Sequence, residues 1–295
     1  HKYYTGRGPL EAVGYGIDMQ DGDLVFRGNF ATVAEDGKRI IDRRAGRNLT
    51  TQEASLLAEE ISQKINLENA EFVFKNTIGH RAILLIRSKE GRLSSWISNT
   101  DPAYSREGLL SVARKNFDYV IEESRPLEGY ENDPPCIKAS EFTNEFTQKV
   151  FEVLKESQVN KERVSSGKLP ANIILLRDAG SHLPKFEPLV EKTGKKFACF
   201  VQMPVERGIA LLTGMDVIDL GIPQSLDKEY EKWAKTALES LDRYDGLYIH
   251  IKGPDEPGHD GDPLKKRQII EMIDRYFFAN ILPHLRKEKV VICVT

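Results

Sequence analysis

Residues 246–262, GLYIHIKGPDEPGHDGD, join an apolar segment to a highly charged loop and decide the fold class. Segment 247–251 is β-branched and aromatic, which is typical of a buried strand. The loop after it carries a dense set of charged or titratable side chains: Lys252, Asp255, Glu256, His259, Asp260 and Asp262. An open α/β sheet places its ligand site at the carboxyl ends of its strands. We therefore expect an α/β fold with a site in this loop.

Two side chains of this loop are suited to a divalent metal ion. Asp255 and His259 lie on either side of a Pro-Gly turn and can converge on one cation. A carboxylate with an imidazole is a donor set suited to Zn or Mn. Lys252 adds a positive charge beside them, which suits an anionic substrate such as a phosphate. A solvated surface turn is the alternative, but the preceding strand, Gly258 and Lys252 favour metal-assisted phosphate chemistry.

Other residues of the loop have competing interpretations. Strand alternation puts His250 on the same face as Lys252, where a buried structural histidine explains the pattern as well as a functional one. Asp260 and Asp262 are further candidate ligands. Asp262 precedes Pro263, however, and this pair is typical of the N-cap and first residue of a helix. We predict that Asp262 caps the following helix.

The composition favours a soluble protein without nucleic-acid or membrane partners. A formal charge of −3, from 42 basic and 45 acidic residues, provides no overall field for a polyanion or an anionic surface. No apolar run approaches the roughly 20 residues that span a bilayer. Three separated cysteines without CxxC spacing do not indicate a disulfide framework. We expect a cytoplasmic protein, and its oligomeric state stays open.

The ends of the sequence suggest a piece of a longer protein. The chain begins His1-Lys2-Tyr3-Tyr4, without an initiator Met or a signal-peptide pattern, and ends in the apolar run 290–295. Termini are usually polar and exposed. We expect 290–295 to be a core strand that ends where a further part of the site would begin.

The first half of the chain predicts a small α+β unit from about residue 17 to 130. The predicted helix spans 51–65, with Leu56, Leu57, Ile61 and Ile65 on one face and Thr50 or Thr51 as its cap. A Pro-, Gly- and acid-rich connection follows at 125–135. Alternating apolar and polar residues predict strands at 24–33, 39–42, 71–75 and 81–87.

The second half alternates helices with continuous apolar strands, which favours a parallel sheet covered on both faces. The predicted strands are 171–176, 195–201, 215–220, 246–251 and 290–295. The predicted helices are 141–156, 205–213, 229–241 and 263–282.

Several basic side chains are candidate anion ligands, because guanidinium groups bind carboxylate and phosphate through paired hydrogen bonds. Arg27 lies inside an apolar strand, where solvation of its charge is less easily assumed. Arg207 lies near a helix N-terminus, which attracts anions. A solvated charged surface is the alternative in each case. The other candidates are Arg43, Arg44 and Arg47 of the stretch DRRAGR, His80, Arg81, and Arg177 at the end of an apolar strand.

Motifs spread from residue 1 to residue 295 form a recognisable set: YYTGRGPLEAVGYGIDM, DLVFRGNFATV, DRRAGR, GHRAILLI, SNTDP, ILLRDAG, RGIALLTGM and HIKGPDEPGHDGDPLKKRQIIEMID. Together they resemble the archaeal-type cofactor-independent phosphoglycerate mutases of the alkaline phosphatase superfamily. The resemblance implies interconversion of 3-phosphoglycerate and 2-phosphoglycerate, in glycolysis and gluconeogenesis, through a phosphoserine. It also implies two divalent ions (Mn or Zn, or else Mg) and independence of 2,3-bisphosphoglycerate.

The implied fold is an alkaline-phosphatase-like, mostly parallel sheet with helices on both faces, plus a smaller inserted α+β domain. Residues 1–16 would end the first part of the core, 17–135 would form the inserted substrate-binding domain, and 136–295 would continue the metal-binding core. Asp255 and His259 match the family's ligands of one metal, and Lys252 matches the lysine that neutralises the transferring phosphoryl group. Arg27, the arginines of DRRAGR, His80 and Arg81 match the region that grips phosphoglycerate.

Other parts of the family pattern have no counterpart here. The family's nucleophilic serine and a first aspartate ligand precede YYTGRGP, and an Asp-His pair follows the strand that matches 290–295. We therefore expect them to lie outside these 295 residues, and the chain by itself to be inactive. The alternatives are a related hydrolase or phosphotransferase, or an inactive protein that binds a phosphorylated metabolite.

Overall fold

The computed structural model of the protein describes residues 5–221, 225–285 and 290–295. The chain divides into two compact units, His1–Lys185 and Phe186–Thr295. Each unit buries its own set of apolar side chains. The sequence pattern of each unit therefore decides the fold of that unit.

The first unit is built on an antiparallel sheet. Its helices are α1 (Arg7–Gly14), α2 (Thr51–Lys64), α3 (Pro134–Leu154) and α4 (Gln158–Ser165). The strands predicted in the first half of the chain are confirmed, each to within one residue at either end. The strands of this unit are β1 (Leu24–Val33), β2 (Ile40–Asp42), β3 (Ala70–Asn76), β4 (Arg81–Ser88), β5 (Tyr104–Glu107), β6 (Leu110–Ala113) and β7 (Ile173–Gly180).

β1 is the central strand of this sheet. On one edge it pairs antiparallel with β4, which in turn pairs with β3. On the other edge it pairs antiparallel with β7, in a register that sets Arg27 opposite Arg177. β2 continues the sheet at Thr32 and Val33, where the register of β1 shifts. Two basic side chains are thus placed side by side in the middle of the unit.

The prediction of a parallel strand at 171–176 is wrong in direction and in neighbour. β7 is the antiparallel partner of β1, although its apolar run is as continuous as predicted. Ile174 and Leu176 join the large core with Phe146, while Ile173 and Leu175 join a separate cluster on the other face. A continuous apolar run reports burial on both faces and carries no information on strand direction.

α2 begins as the sequence predicts. Thr50 Oγ1 accepts the Glu53 N–H at 3.1 Å, and Glu53 Oε2 accepts the Thr50 N–H at 2.8 Å, which completes a capping box. Leu57 and Ile61 are fully buried, but Leu56 is exposed. Adjacent helical residues point about 100° apart, so Leu56 cannot share the buried face with Leu57.

The second unit has the predicted parallel sheet. Its strands are β8 (Phe197–Val201), β9 (Asp216–Asp219) and β10 (Gly246–Ile249), in the order β10-β8-β9. Both pairings are parallel, and Phe200 and Trp233 are buried in its core. Its helices are α5 (Leu189–Thr193), α6 (Pro204–Leu212), α7 (Leu226–Ser240), α8 (Asp255–His259), α9 (Pro263–Ile273) and α10 (Ala279–Leu285).

Three predictions for this unit need correction. β10 pairs with β8 alone among the described strands, so Tyr248 is exposed where a buried strand was expected. The helix predicted at 263–282 is divided by a wider turn at Asp274–Phe278, which turns Phe277 and Ile281 into the core. The segment 290–295 is exposed and forms no strand. A strand needs backbone partners, and no described strand pairs with this segment.

The described helices include none that is both long and apolar enough to cross a bilayer. The division of the chain at 17–135 and 136–295 stays a prediction. The two compact units divide between Lys185 and Phe186, and α3 and β7 pack with the first sheet.

Candidate functional site

Arg27 lies in β1 and is held by two carboxylates. Its Nε lies 3.0 Å from Glu11 Oε1, and its Nη1 donates to Asp178 Oδ2 at 3.0 Å. Burial acts to lower the pKa of Arg27, but Glu11 and Asp178 outweigh it and raise the pKa. The charge of Arg27 is therefore compensated within the unit, and its role toward a substrate stays a prediction.

Arg43 and Arg177 share one buried carboxylate, that of Asp101. Arg43 donates from Nε to Oδ1 at 3.0 Å and from Nη2 to Oδ2 at 2.6 Å. Arg177 Nη1 donates to the same Oδ2 at 3.2 Å, and the Ala103 N–H donates to Oδ1 at 3.2 Å. The Asp101 side chain is 0% exposed. It therefore orients two arginines that come from different parts of the sequence.

The ring of Tyr104 supports the same two arginines. The guanidinium carbon of Arg177 lies 4.4 Å from the ring centroid, and that of Arg43 lies 5.4 Å from it. Cation–π contacts of this length stabilise a partly desolvated cation. Burial, and next the charge of Arg27, lower the pKa of Arg177. A cation in this state gains more from an added anion than a solvated one does.

The DRRAGR stretch forms a left-handed turn. Ala45, Gly46 and Arg47 have φ values of 47°, 72° and 56°. A left-handed conformation costs a residue with a side chain roughly 1–2 kcal/mol. Such strain persists where surrounding contacts over-determine it, and it concentrates at functional sites.

Two side chains hold this turn. Asp42 Oδ1 accepts the backbone N–H groups of Arg44, at 2.6 Å, and of Gly46, at 3.1 Å. The buried Arg163 donates from Nη2 to the Ala45 carbonyl at 3.2 Å, and its Nη1 donates to Glu53. The turn is thus fixed from both sides, which fixes the backbone that carries Arg44 and Arg47.

His80 reports the positive potential of this region. Its pKa is lowered to about 4, first by burial and then by the positive charges of Arg81, Arg44, Arg177 and Arg47. The structure therefore brings these predicted residues close enough to act on one imidazole. We call Arg43, Arg44, Arg47, His80, Arg81 and Arg177 the arginine cluster. Its charge suits a small molecule that carries both phosphate and carboxylate groups.

In the second unit, Lys252 is held by Glu206. Lys252 Nζ hydrogen-bonds to Glu206 Oε1, and His250 Nδ1 lies 3.2 Å from the same oxygen. Glu206 Oε2 accepts the backbone N–H groups of Gln202 and Met203, before α6, at 3.0 and 3.2 Å. His250 and Lys252 thus point to one group, as the alternation predicts. The buried carboxylate of Glu206 fixes where the ammonium group stands.

Asp255 and His259 lie one helical turn apart in α8. Asp255 Oδ2 is 3.5 Å from His259 Nε2, and the side chains are 89% and 81% exposed. The two donors can therefore reach one cation. No described residues form a group of three or more His, Cys, Asp or Glu side chains that could hold a metal. Asp262 is the helix cap that was predicted, since its Oδ1 accepts the Lys265 N–H at 2.9 Å.

Arg207 lies in the first turn of α6, as the sequence predicts, and forms an ion pair there. Its Nη1 lies 3.0 Å from Asp219 Oδ2, at the end of β9. The Arg207 side chain is 42% exposed, so this pair contributes little to stability. An anion-binding role for Arg207 stays a prediction.

Sequence reasoning did not single out Asp101 and Glu206, two of the carboxylates that hold these cations. Asp101 is part of the SNTDP motif, and Glu206 directly precedes Arg207, but neither lies at the end of an apolar strand. Their partners are distant in sequence, so only tertiary contact reveals the pairs. The one signal that the sequence contains for Glu206 is its position as an acidic residue in the first turn of a predicted helix.

Comparison with known proteins gives the family of this chain. A family model described as 2,3-bisphosphoglycerate-independent phosphoglycerate mutase matches residues 1–160. An Aeropyrum pernix protein of that description is 45% identical over 289 residues, covering 96% of this chain and 67% of the relative. The chain belongs to the archaeal-type 2,3-bisphosphoglycerate-independent phosphoglycerate mutase family. A Methanopyrus kandleri relative of the same description is 37% identical, covering 99% of this chain and 65% of the relative.

Two solved structures share the fold of this chain. The cofactor-independent phosphoglycerate mutase of Thermoplasma acidophilum aligns with a TM-score of 0.60 at 34% identity, over 96% of this chain and 66% of that one. A Pyrococcus horikoshii protein aligns with a TM-score of 0.67 at 26% identity, over 96% and 60%. The chain therefore has a mixed α/β fold that matches part of the Thermoplasma acidophilum mutase structure. It spans about two thirds of the length of the relatives that it matches.

Proposed function

We propose that this chain carries the substrate-holding part, and part of the metal-holding part, of an enzyme that interconverts 3-phosphoglycerate and 2-phosphoglycerate. The observation that carries the proposal is the arginine cluster, in which Asp101 holds Arg43 and Arg177. Burial, and then the charges of four of its arginines, lower the pKa of His80 to about 4. A positively charged site suits a substrate with one phosphate and one carboxylate. Membership of the mutase family supports that substrate over other phosphorylated acids.

The arginine cluster would hold the glycerate part of the substrate while the phosphoryl group moves. The phosphoryl group passes from one glycerate oxygen to a serine outside the 295 residues and returns to the other oxygen. The glycerate must stay bound between these steps, and paired guanidinium–carboxylate hydrogen bonds provide both affinity and orientation. Arg43 and Arg177 are the best prepared for this role, since Asp101 already fixes them.

Asp255 and His259 would contribute ligands to one of two divalent ions. Their donor atoms lie close enough to share a cation, and a carboxylate with an imidazole suits Mn or Zn. When bound, such ions neutralise phosphoryl oxygens and lower the pKa of a nearby hydroxyl. Lys252, oriented by Glu206, would add a positive charge at a transferring phosphoryl group.

Substitution of the metal ligands in the full-length protein tests the proposal. We expect Asp255→Ala and His259→Ala each to abolish conversion of 3- to 2-phosphoglycerate and to weaken Mn binding measured by calorimetry. Glu256→Ala, which removes a neighbouring exposed carboxylate, is the matched control and should keep both. Normal turnover of either variant in chelator-treated buffer would show that the metal assignment is wrong.

The same assay separates the mutase from related activities. Conversion without added 2,3-bisphosphoglycerate supports the mutase, whereas net release of phosphate would identify a hydrolase. We expect the 295-residue chain to bind phosphoglycerate through the arginine cluster but not to turn it over. Turnover by this chain alone would contradict the placement of the serine outside it.

A further inference from the structure

Two arginines of the cluster, Arg43 and Arg177, share one acidic side chain. Asp101 accepts hydrogen bonds from Arg43, Arg177 and the Ala103 backbone, and both of its oxygens are engaged. The side chain is fully buried, so it cannot itself reach a substrate. Any effect of Asp101 on a bound anion must therefore pass through its two partners.

The pairing with Arg43 fixes the plane of the guanidinium. Asp101 binds the edge formed by Nε and Nη2, so Nη1 takes no part in this pairing. Tyr104 and Phe117 also lie against this group, with ring centroids 5.4 and 5.6 Å from its central carbon. Arg43 is thus held by hydrogen bonds along one edge, and its central carbon lies over two aromatic rings.

Arg177 needs the same carboxylate for a different reason. It lies opposite Arg27 in the sheet, so two partly buried cations face each other across neighbouring strands. Asp178 lies between them, 3.0 Å from Arg27 but 3.7 Å from Arg177. Asp101, at 3.2 Å, provides the shorter carboxylate contact of Arg177. Its negative charge therefore helps to hold Arg177 at this position against repulsion from Arg27.

We infer that Asp101 is a positioning residue for substrate binding: it holds Arg43 and Arg177 in the orientation that receives the anionic groups of phosphoglycerate. This inference rests on the function proposed above. Preorganised ligands lose less conformational freedom on binding, so the contribution of Asp101 appears in the affinity for substrate. Because Asp101 does not approach the reacting atoms, the rate of the bound complex should change much less.

Asp101→Asn in the full-length protein tests the inference. It keeps the shape of the side chain but removes its charge and replaces one acceptor oxygen by a donor. We expect KM for 3-phosphoglycerate, and the Kd measured by calorimetry, to rise about tenfold or more, with kcat changed less than about threefold. A tenfold loss in kcat with an unchanged KM would overturn the inference.

Asp23→Asn is the matched control. Asp23 is also buried, accepts two hydrogen bonds from one arginine, Arg87, at 2.8 and 2.7 Å, and accepts one from the Gln20 backbone. It lies in the same unit, but Arg87 is outside the arginine cluster. We expect Asp23→Asn to lower the unfolding temperature as Asp101→Asn does, while KM stays unchanged. If both variants raise KM equally, Asp101 acts only on the stability of the fold.

A double-mutant cycle shows whether Asp101 acts through Arg43. In the background of Arg43→Ala, adding Asp101→Asn should raise KM by a smaller factor than it does in the wild type. If Asp101→Asn raises KM by the same factor in both backgrounds, the inference is overturned. If Asp101→Asn does not fold, Asp101→Ser replaces it, with Asp23→Ser as its control. Asp101→Ser should raise KM and Asp23→Ser should not, and equal KM values in both would again overturn the inference.

These outcomes distinguish the inference from the function on which it rests. Wild-type protein that neither binds nor converts phosphoglycerate would contradict the proposed function before any variant is compared. Wild-type protein that binds it normally, together with an unchanged KM in Asp101→Asn, would contradict the positioning role alone.

Discussion

At the scale of single residues, His80 links the charge of the arginine cluster to a measurable proton equilibrium. Its pKa in the folded protein is about 4, below the ordinary value of 6.5. The unfolded chain therefore binds a proton at a higher pH than the folded chain does. The stability contributed by neutral His80 is present above pH 6.5 and is lost as the pH falls toward 4.

An anion bound in the cluster should raise the pKa of His80. The negative charge offsets the arginines that lower it, so we expect the imidazole resonance to titrate at higher pH when phosphoglycerate is present. An NMR titration with and without phosphoglycerate measures this shift. Arg44→Gln should raise the pKa of His80 even without ligand. Arg92 is an exposed arginine outside the cluster, and Arg92→Gln should leave the pKa of His80 unchanged. An unchanged His80 titration at saturating ligand would place the binding site elsewhere.

At the scale of elements, the left-handed turn at 45–47 connects backbone strain to the orientation of the arginines. Gly46 has a φ of 72°, so Gly46→Ala should lower the free energy of unfolding by about 1 kcal/mol. Gly167, with the same φ and no atom within 4 Å of an added Cβ, is the matched control. Both substitutions should destabilise the protein in denaturant titrations. Only Gly46→Ala should also weaken phosphoglycerate binding, and equal binding in both variants would contradict a functional role of the turn.

The start of α6 makes a second prediction at this scale. Glu206 accepts backbone N–H groups at the helix start and also holds Lys252, so Glu206→Gln should loosen both. We expect kcat/KM of the full-length protein to fall about tenfold or more, since hydrogen bonds to charged groups contribute roughly 1.5–3 kcal/mol. Glu239→Gln, in an exposed pair with Lys235 on α7, should leave kcat/KM unchanged. Unchanged kinetics in Glu206→Gln would refute the role of Glu206 in orienting Lys252.

At the scale of the whole molecule, the two units have separate cores, and each contains one tryptophan. Trp96 packs against the core of the first unit, and Trp233 is buried in the core of the second. Phe146→Ala removes a fully buried ring from the first core and should destabilise that unit by about 3–5 kcal/mol. In a Trp233→Phe background the Trp96 fluorescence transition should move to lower denaturant.

The converse experiment uses the second core. With Trp96→Phe as background, Phe146→Ala should leave the Trp233 transition nearly unchanged, while Phe200→Ala should shift it. Equal shifts of both tryptophan signals in every variant would show that the two cores unfold as one cooperative unit.

Local sequence signals predicted much of the secondary structure and the candidate residues. The cap at Thr50, the cap at Asp262 and the strands of the first sheet depend on neighbours in sequence, and the structure confirms them. Two predictions were wrong: the segment 290–295 is exposed and is not a core strand, and β7 is antiparallel to its partner and not parallel. Both depend on which strand lies alongside, and apolar periodicity contains no information about that partner.

The candidate site divides in the same way. The sequence by itself determined which side chains carry charge, which of them end a strand or start a helix, and the family to which they belong. Only the tertiary structure decided that Arg43 and Arg177 share Asp101, that Glu206 holds Lys252, and that four arginines act on His80. The physical reason is that Coulomb and hydrogen-bond energies depend on distance in space, while a sequence specifies only distance along the chain.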